Sequence, residues 1–186
     1  MDADLKTDAR ERVSNPKIAK LEEPFLNGIA NQSYRHLHPD LATSLALLSS
    51  GLAFYAYIQA HSNPLFLPVA CLGIGSHYLF DGIDGKIAKM RGMDTPGNPL
   101  YRSYGWQIDK SADFVASFLF ISGFFWAVTQ SFPITALHLS MFVGFYIWLM
   151  RFSSRNHVDV TMGGTESRLL LVALTLGFFL IILLRI

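Results

Sequence analysis

Long apolar runs separated by short polar connections dominate the chain from residue 41 onward. Each run approaches or reaches the roughly 20 residues that a helix needs to cross a bilayer. The helical period of the second run continues to residue 90, and that of the third run extends back to residue 106. The sequence therefore predicts an all-α, polytopic transmembrane helix bundle with five crossings, at residues 41–60, 65–80, 114–130, 134–150 and 169–184.

The segment before the first run is polar, but its apolar residues follow a helical period. Ile18, Leu21, Phe25 and Ile29 are spaced to share one face, with charged side chains between them. This pattern predicts an amphipathic helix lying on the membrane surface, with a loosely ordered tail as the alternative. The segment lacks the apolar stretch of a signal peptide, so the first membrane helix is expected to direct its own insertion.

The distribution of Lys and Arg orients this bundle. The chain is 51% hydrophobic with a net charge of +1, and its basic residues gather in alternate connections between the apolar runs. Because cytoplasmic segments near membrane crossings carry the excess of Lys and Arg, we expect the N-terminus inside and the C-terminus outside. The chain then divides into a cytoplasmic tail with its juxtamembrane helix, 1–40, and a transmembrane domain, 41–186. We expect a bacterial or archaeal inner membrane or a eukaryotic organelle membrane, with lipids rather than nucleic acid as partners.

Four carboxylates lie at the predicted membrane boundary, where charged groups are costly. Asp81 and Asp84 are three residues apart on the second helix, and Asp109 and Asp113 are four apart on the third, so each pair shares a face. Both pairs are expected at one cytoplasmic depth, where they would repel one another unless cations neutralise them. Oxygen ligands favour Mg²⁺ or Mn²⁺, and Mg²⁺ commonly completes its shell with substrate phosphates. The pattern predicts a divalent-metal site that handles a phosphate compound.

Each acidic pair has a glycine beside it. Gly85 follows Asp84 directly, and Gly105 precedes Asp109 by four residues. The missing side chain would let a bulky ligand such as a nucleotide approach the backbone. Small residues also permit close packing of membrane helices, so on spacing alone both interpretations remain open.

These residues belong to a longer pattern, D-G-I-D-G-K-I-A-K over 81–89 and G-W-Q-I-D-K-S-A-D over 105–113. The pattern resembles the signature of the CDP-alcohol phosphotransferases, also called CDP-alcohol phosphatidyltransferases. Weaker similarity extends to P-D-L-A-T at 39–43 and to G-T-E-S-R at 164–168.

The chain departs from that family in three respects. Lys89 stands where the family usually has Arg, which replaces a bidentate fork with a point charge. The spacer 90–104 is longer than the family's, and its Pro96, Gly97 and Pro99 mark a turn that would absorb the extra residues. Five crossings are predicted where the family usually has six.

The resemblance implies a transferase that moves a phosphatidyl or other phosphoalcohol group from a CDP-linked donor to an acceptor alcohol and releases CMP. CDP-diacylglycerol is the expected donor, and a choline- or ethanolamine-type enzyme with a lipid acceptor is the alternative. The resemblance also implies a homodimer and two metal ions. The metal ligands would be Asp81, Asp84, Asp109 and Asp113, with Asp113 also acting as the general base.

By the same resemblance, the CDP-linked donor would contact Gly85, Ala88, Lys89, Gly105 and Thr43. A Thr in a membrane helix often bonds the carbonyl one turn earlier, which is the alternative for Thr43. Four basic residues are candidates for binding a phosphorylated acceptor, although the ordinary cytoplasmic excess of positive charge also explains them. They are Lys110, Arg151, Arg155 and Arg168, the last of which has Glu166 as an alternative partner.

Two other functions and one other ligand compete with this interpretation. His77 stands one turn before Asp81, but a single His in an apolar run usually serves packing, so it is left out of the predicted metal set. Acidic residues in membrane helices also mark cation pathways, which makes a small cation transporter the rival function. The last three apolar runs contain no Asp, Glu, Lys or Arg, which argues against transport. An inactive structural homologue is the third possibility.

Overall fold

The computed structural model of the protein describes residues 16–93, 95, 98, 105–156 and 165–185. Within these ranges, the side chains of residues 16–21, 106, 149–156, 165–167 and 185 are outside the description. Six helices and no strand occur in the described ranges, which confirms the all-α prediction. They are α1 (Pro16–Ser33), α2 (Pro39–Gln59), α3 (Phe66–Met90), α4 (Gly105–Thr129), α5 (Phe132–Asn156) and α6 (Thr165–Arg185).

Two of these helices continue past their apolar runs, as the helical period predicts. Helix α3 does not stop at its first carboxylate but runs on to Met90, and α4 begins at Gly105, well before the apolar run. Helix α3 ends where Gly92 adopts a φ of +67°, a left-handed conformation that glycine takes without steric cost. All four predicted metal ligands therefore lie on regular helix.

Three helical segments are long and apolar enough to cross a membrane: Pro39–Gln59, Phe66–Met90 and Gln107–Thr129. Two shorter apolar segments, Phe132–Trp148 and Arg168–Leu184, lie in α5 and α6. The protein is an integral membrane protein on this evidence, whereas the count of five crossings and the sidedness of the termini stay predictions.

Helix α2 packs closely between α3 and α4 because small residues line its contacts. Ala53 and Ala56 are fully buried on α2, and a Cβ added at Gly73 of α3 would lie 2.8 Å from the Ala53 Cβ. On α4, a Cβ added at Gly123 would lie 2.8 Å from the Tyr57 ring. Small residues let membrane helices approach until their backbones nearly touch. Helix α2 is thereby held in register with both helices that carry carboxylates.

The two C-terminal helices pack on different partners. Helix α6 lies against α3, and its Thr175 hydroxyl is 2.6 Å from the Tyr57 hydroxyl of α2. Helix α5 lies against α4, where the Phe114 ring stacks with Phe142 at 5.9 Å and meets Tyr146 at 4.5 Å. The start of α6 is therefore next to the carboxylate-bearing half of α3.

Helix α1 packs against the second half of α3. Leu26 and Ala30 are buried with Ile83 and Ile87, and a Cβ added at Gly82 would lie 2.9 Å from a Leu26 methyl carbon. Polar contacts accompany this packing. Lys86 Nζ donates to Asn27 Oδ1 at 2.7 Å, Tyr78 Oη donates to Glu22 Oε2 at 2.7 Å, and Arg91 donates to the Tyr34 carbonyl at 2.6 Å.

A helix spans residues 18–29, where the amphipathic helix is predicted, and one of its faces packs on the protein. Phe25 is exposed and Ile29 half-buried, whereas Leu26 and Ala30 face the protein. The side chains of Ile18 and Leu21 lie outside the described residues, as does the tail before residue 16. A position of α1 on the membrane surface, with Phe25 directed toward lipid, stays a prediction, as does the division at residues 40 and 41.

We expect Gly73→Ala to lower the thermal unfolding temperature relative to Gly75→Ala. Both changes raise helix propensity by about 0.5–1 kcal/mol, but only the methyl at position 73 meets α2, at 2.9 Å from the Ser49 carbonyl oxygen and the Ala53 nitrogen. Overpacking of this kind costs about 1–3 kcal/mol. Gly75 lies on the same helix with nothing within 4 Å of an added Cβ. Equal unfolding temperatures of the two detergent-purified variants would contradict the close α2–α3 approach.

Candidate active site

Helices α3, α4 and α6 bring charged side chains together in one region. His77 and Asp81 are one turn apart on α3, and Asp113 projects from the first half of α4. One ligating atom from each of these three residues lies within 4.8 Å of the others. His77 is buried at 1% exposure, and the Asp81 and Asp113 side chains are 23% and 21% exposed. The carboxylates are thus partly withdrawn from water yet still reachable.

A single guanidinium links the two carboxylates. Arg168, in the first turn of α6, places Nη1 2.8 Å from Asp81 Oδ2 and Nη2 3.0 Å from Asp113 Oδ1. The Arg168 side chain is only 11% exposed. Because these distances are those of charge-assisted hydrogen bonds, one cation offsets the repulsion between two acidic groups. The ion pairs join α6 to both α3 and α4.

Asp84 is the most buried of the four carboxylates, at 5% exposure. Its Oδ2 accepts a 2.6 Å hydrogen bond from the Thr43 hydroxyl of α2, and its Oδ1 accepts one from its neighbour's backbone, Gly85 N–H, also at 2.6 Å. The Thr43 hydroxyl is also 3.2 Å from the Pro39 carbonyl, the contact expected of a Thr within a membrane helix. Thr43 therefore orients Asp84.

Asp109 and Lys110 complete the charged region at the start of α4. Asp109 is half-buried and close enough to interact electrostatically with Asp84 and Asp113. Lys110 is half-buried and close enough to Asp113 to interact with it electrostatically. The four carboxylates thus share one region, but the close group consists of Asp81 and Asp113 with His77.

The sequence leaves His77 out of the predicted metal set, whereas the structure places it beside Asp81 and Asp113. Its Nδ1 lies 2.9 Å from Ser50 Oγ and 3.0 Å from the Ala46 carbonyl oxygen, both on α2. Its Nε2 is buried and has no hydrogen-bond partner among the described residues. The one-turn spacing from Asp81 was the available signal, because it places both side chains on the same face of α3.

The two glycines beside the acidic pairs face open space. A Cβ added at Gly85 or Gly105 would meet nothing within 4 Å among the described residues, in contrast to the packed glycines at 73 and 123. Close helix packing therefore does not account for these two glycines. Ala88 is half-buried and Lys89 exposed on the same stretch of α3. An open, partly basic flank lies beside the carboxylates.

Comparison with protein-family models decides the family. The model of the CDP-alcohol phosphatidyltransferases matches residues 36–186, which cover most of the chain and all four carboxylates. The chain belongs to this family. The CDP-alcohol phosphatidyltransferases transfer a phosphoalcohol group from a CDP-alcohol, so the protein is a transferase of substituted phosphate groups. Searches among curated proteins and among solved structures gave no significant match.

Phosphatidyltransferases of this family depend on metal in general, and the residues present fit a divalent ion. Asp81 and Asp113 offer oxygen ligands, and a ring nitrogen of His77 lies within 4.8 Å of them. A guanidinium already neutralises this position, which shows that it accommodates positive charge. The donor set is therefore suited to a small hard or borderline cation.

The structure describes the side chains of only some of the predicted acceptor residues. Arg168 pairs with Asp81 and Asp113, while the side chain of its alternative partner Glu166 lies outside the described residues. The side chains of Arg151 and Arg155 also lie outside them, as does most of the spacer 90–104. Their roles stay predictions.

We expect Arg168→Gln to destabilise the metal-free protein and to make its stability depend on divalent cations. Removing one partner of a buried ion pair leaves uncompensated charge, and two carboxylates lose their cation here, at a cost of roughly 3 kcal/mol. The measurement is the thermal unfolding temperature with chelator and with Mn²⁺. Mn²⁺ should raise it more in the variant than in the unmodified protein. Lys89→Gln, the same charge change at an exposed site, is the control, and an equal response of both variants would contradict this account.

Proposed function

We propose that this protein transfers a phosphatidyl or related phosphoalcohol group from CDP-diacylglycerol, or a similar CDP-alcohol, to the hydroxyl of an acceptor alcohol. CMP is the second product, and Mg²⁺ or Mn²⁺ is required. The observation that carries the proposal is the joining of Asp81, Asp113 and Arg168 from three helices, beside an open glycine flank. Phospholipid biosynthesis is the process in which this reaction belongs.

The open flank is suited to the nucleotide part of the donor. Gly85 and Gly105 lack side chains where no described residue comes within 4 Å of an added Cβ, so a flat base or a ribose phosphate can approach either backbone closely. Lys89 is exposed nearby and supplies a positive charge for a phosphate. Thr43 is engaged by Asp84, so its support for the donor is indirect, through the orientation of that carboxylate.

The carboxylates have distinct tasks in this proposal. Asp81, Asp84 and Asp109 hold the metal ions, with Asp113 at the edge of the group. When bound, the ions supply positive charge that offsets the charge on the attacked phosphate and on the departing CMP. Thr43 and the Gly85 N–H fix the orientation of Asp84, so this ligand requires little reorganisation on binding.

Asp113 is the proposed general base. The acceptor hydroxyl oxygen bonds to the phosphorus that carries the alcohol, the bond from that phosphorus to the CMP oxygen breaks, and the hydroxyl proton passes to Asp113. In the metal-free structure the ion pair with Arg168 engages Oδ1 of Asp113 and places this carboxylate beside Asp81. CMP leaves as its anion.

The basic residues support an acceptor that carries a phosphate. Arg168 neutralises two carboxylates, and once a metal ion takes over that charge the guanidinium is free to pair with a phosphate oxygen. Lys110 lies within electrostatic range of Asp113, on the proposed acceptor side. Arg151 and Arg155 are included in this proposal from their sequence positions.

The site is proposed to open to the cytoplasm, with the N-terminus on the same side. The support is the concentration of Lys and Arg in the connections that flank the carboxylate-bearing helix ends. A homodimer is proposed from the family resemblance. Exposed leucines on the outer faces of the helices, such as Leu48, Leu72 and Leu180, suit contact with lipid or with a second copy.

The deciding experiment measures CMP release by the detergent-purified protein. CDP-diacylglycerol and other CDP-alcohols are offered with a panel of phosphorylated and free alcohols, in Mg²⁺, in Mn²⁺ and in chelator. We expect metal-dependent CMP release with at least one acceptor, and a loss of at least about a hundredfold in Asp113→Asn, because general-base catalysis contributes that much. Lys86→Gln, which removes a contact with α1 outside the site, is the control for folding. CMP release by Asp113→Asn at the control's rate would refute the role of Asp113.

We expect Gly85→Leu to raise the donor KM by at least about tenfold, which corresponds to about 1.4 kcal/mol of binding. The new side chain would enter the space that the nucleotide is proposed to use, and its Cβ would meet no described residue within 4 Å. Gly75→Leu, on the same helix and equally open, should leave the donor KM unchanged. Equal KM values in the two variants, measured at saturating acceptor, would show that the nucleotide does not approach Gly85.

A further inference from the structure

His77 has one ring nitrogen fully satisfied and one without a partner. Nδ1 lies 3.0 Å from the Ala46 carbonyl oxygen, which is able only to accept a hydrogen bond. The Ser50 hydroxyl donates its proton to that same carbonyl at 3.0 Å, so its oxygen also faces Nδ1 as an acceptor at 2.9 Å. Both neighbours therefore require a proton on Nδ1.

A proton on Nδ1 leaves Nε2 of the neutral ring with a free lone pair. Nε2 is buried, and no donor from the described residues reaches it. An unsatisfied buried acceptor costs about 1–3 kcal/mol, so it calls for a partner that the described residues do not supply. A lone pair is what a metal ion binds.

The His77 ring is held beside the carboxylates, with its orientation fixed by α2 and α4. Nδ1 is fixed on the α2 side, and the Phe120 ring of α4 lies edge-on at 5.3 Å between centroids. A ligating nitrogen of His77 and oxygens of Asp81 and Asp113 lie within 4.8 Å of one another. With Nδ1 occupied by Ala46 and Ser50, Nε2 is the nitrogen left to complete this group.

We propose that His77 Nε2 is a metal ligand, which together with Asp81 and Asp113 forms a mixed nitrogen and oxygen position within the metal site. This inference rests on the proposed metal-dependent function and extends its ligand set. The Nδ1–H bond to a backbone carbonyl has the form that usually fixes the tautomer of a metal-bound histidine. The metal would bind the same two carboxylates as Arg168, so ion and guanidinium alternate there.

A mixed position has a metal preference different from that of carboxylates alone. An imidazole ligand favours first-row transition metals over Mg²⁺, most strongly Zn²⁺ and less so Mn²⁺, because Mg²⁺ usually keeps an all-oxygen shell. Mn²⁺ should therefore persist at this position when Mg²⁺ is added in excess. Removal of the imidazole should abolish that preference.

The test is pulsed electron paramagnetic resonance of Mn²⁺ bound to the detergent-purified full chain. The unmodified protein should show nitrogen hyperfine coupling, which changes to the ¹⁵N pattern when only histidine is labelled. His77→Asn, whose amide N–H retains a donor toward the Ala46 carbonyl, should lose the coupling and bind Mn²⁺ at least about tenfold more weakly. His138→Asn, on α5, is the matched control and should keep both properties.

The outcomes separate this inference from the proposed function. Mn²⁺ binding and CMP release without nitrogen coupling in the unmodified protein would overturn the role of His77 and leave the transfer reaction standing. Coupling that persists in His77→Asn, or disappears in His138→Asn, would also overturn it. If the protein showed no Mn²⁺ binding and no CMP release, both the proposed function and this inference would be refuted. The spectrum of the unmodified protein is informative even where His77→Asn does not fold.

Discussion

The way in which α3, α4 and α6 meet depends on compensation of negative charge inside an apolar bundle. Asp81 and Asp113 come from different helices and lie close together, and Arg168 from a third helix provides the shared cation. Charged groups withdrawn from water are tolerated only when they are paired and hydrogen-bonded. The three helices are therefore tied at the site by electrostatics, and elsewhere mainly by apolar packing. A metal ion and the guanidinium offer two ways of meeting the same requirement.

Close packing of small residues makes that arrangement specific. Helix α2 contributes no metal ligand in the proposal, yet its Thr43 orients Asp84 and its Ala46 and Ser50 orient His77. These contacts require α2 to lie near α3. Gly73 has no side chain and Ala53 has a small one, so the two helices can approach closely. The packing residues and the site residues are thus parts of one structure. A change in helix separation would move these hydrogen-bond partners away from the groups that they orient.

The sequence predicted most of the helical content, because apolar period and run length depend on local order alone. The continuation of α3 to Met90 and the early start of α4 at Gly105 followed from the same period. The role of His77 required knowledge of Ala46 and Ser50, which are distant in the chain, since they set its tautomer. The sequence left two interpretations of Gly85 and Gly105, nucleotide approach and close helix packing. No described residue comes within 4 Å of an added Cβ at either position, which argues against packing on the described helices. The packing of Leu26 and Ala30 of α1 on α3 was not predicted, because it depends on residues distant in the chain, such as Gly82.

The position of Arg168 along the chain has a consequence for biosynthesis. Helices α3 and α4 are translated, and enter the membrane, before α6 leaves the ribosome. During that interval Asp81 and Asp113 lack the guanidinium that neutralises them in the finished bundle. Ionised carboxylates resist transfer into hydrocarbon, so the nascent helices must keep that half near water or near another cation. Helix α6 therefore completes this group of ion pairs, and its guanidinium can join the two carboxylates only after residue 168 has been made.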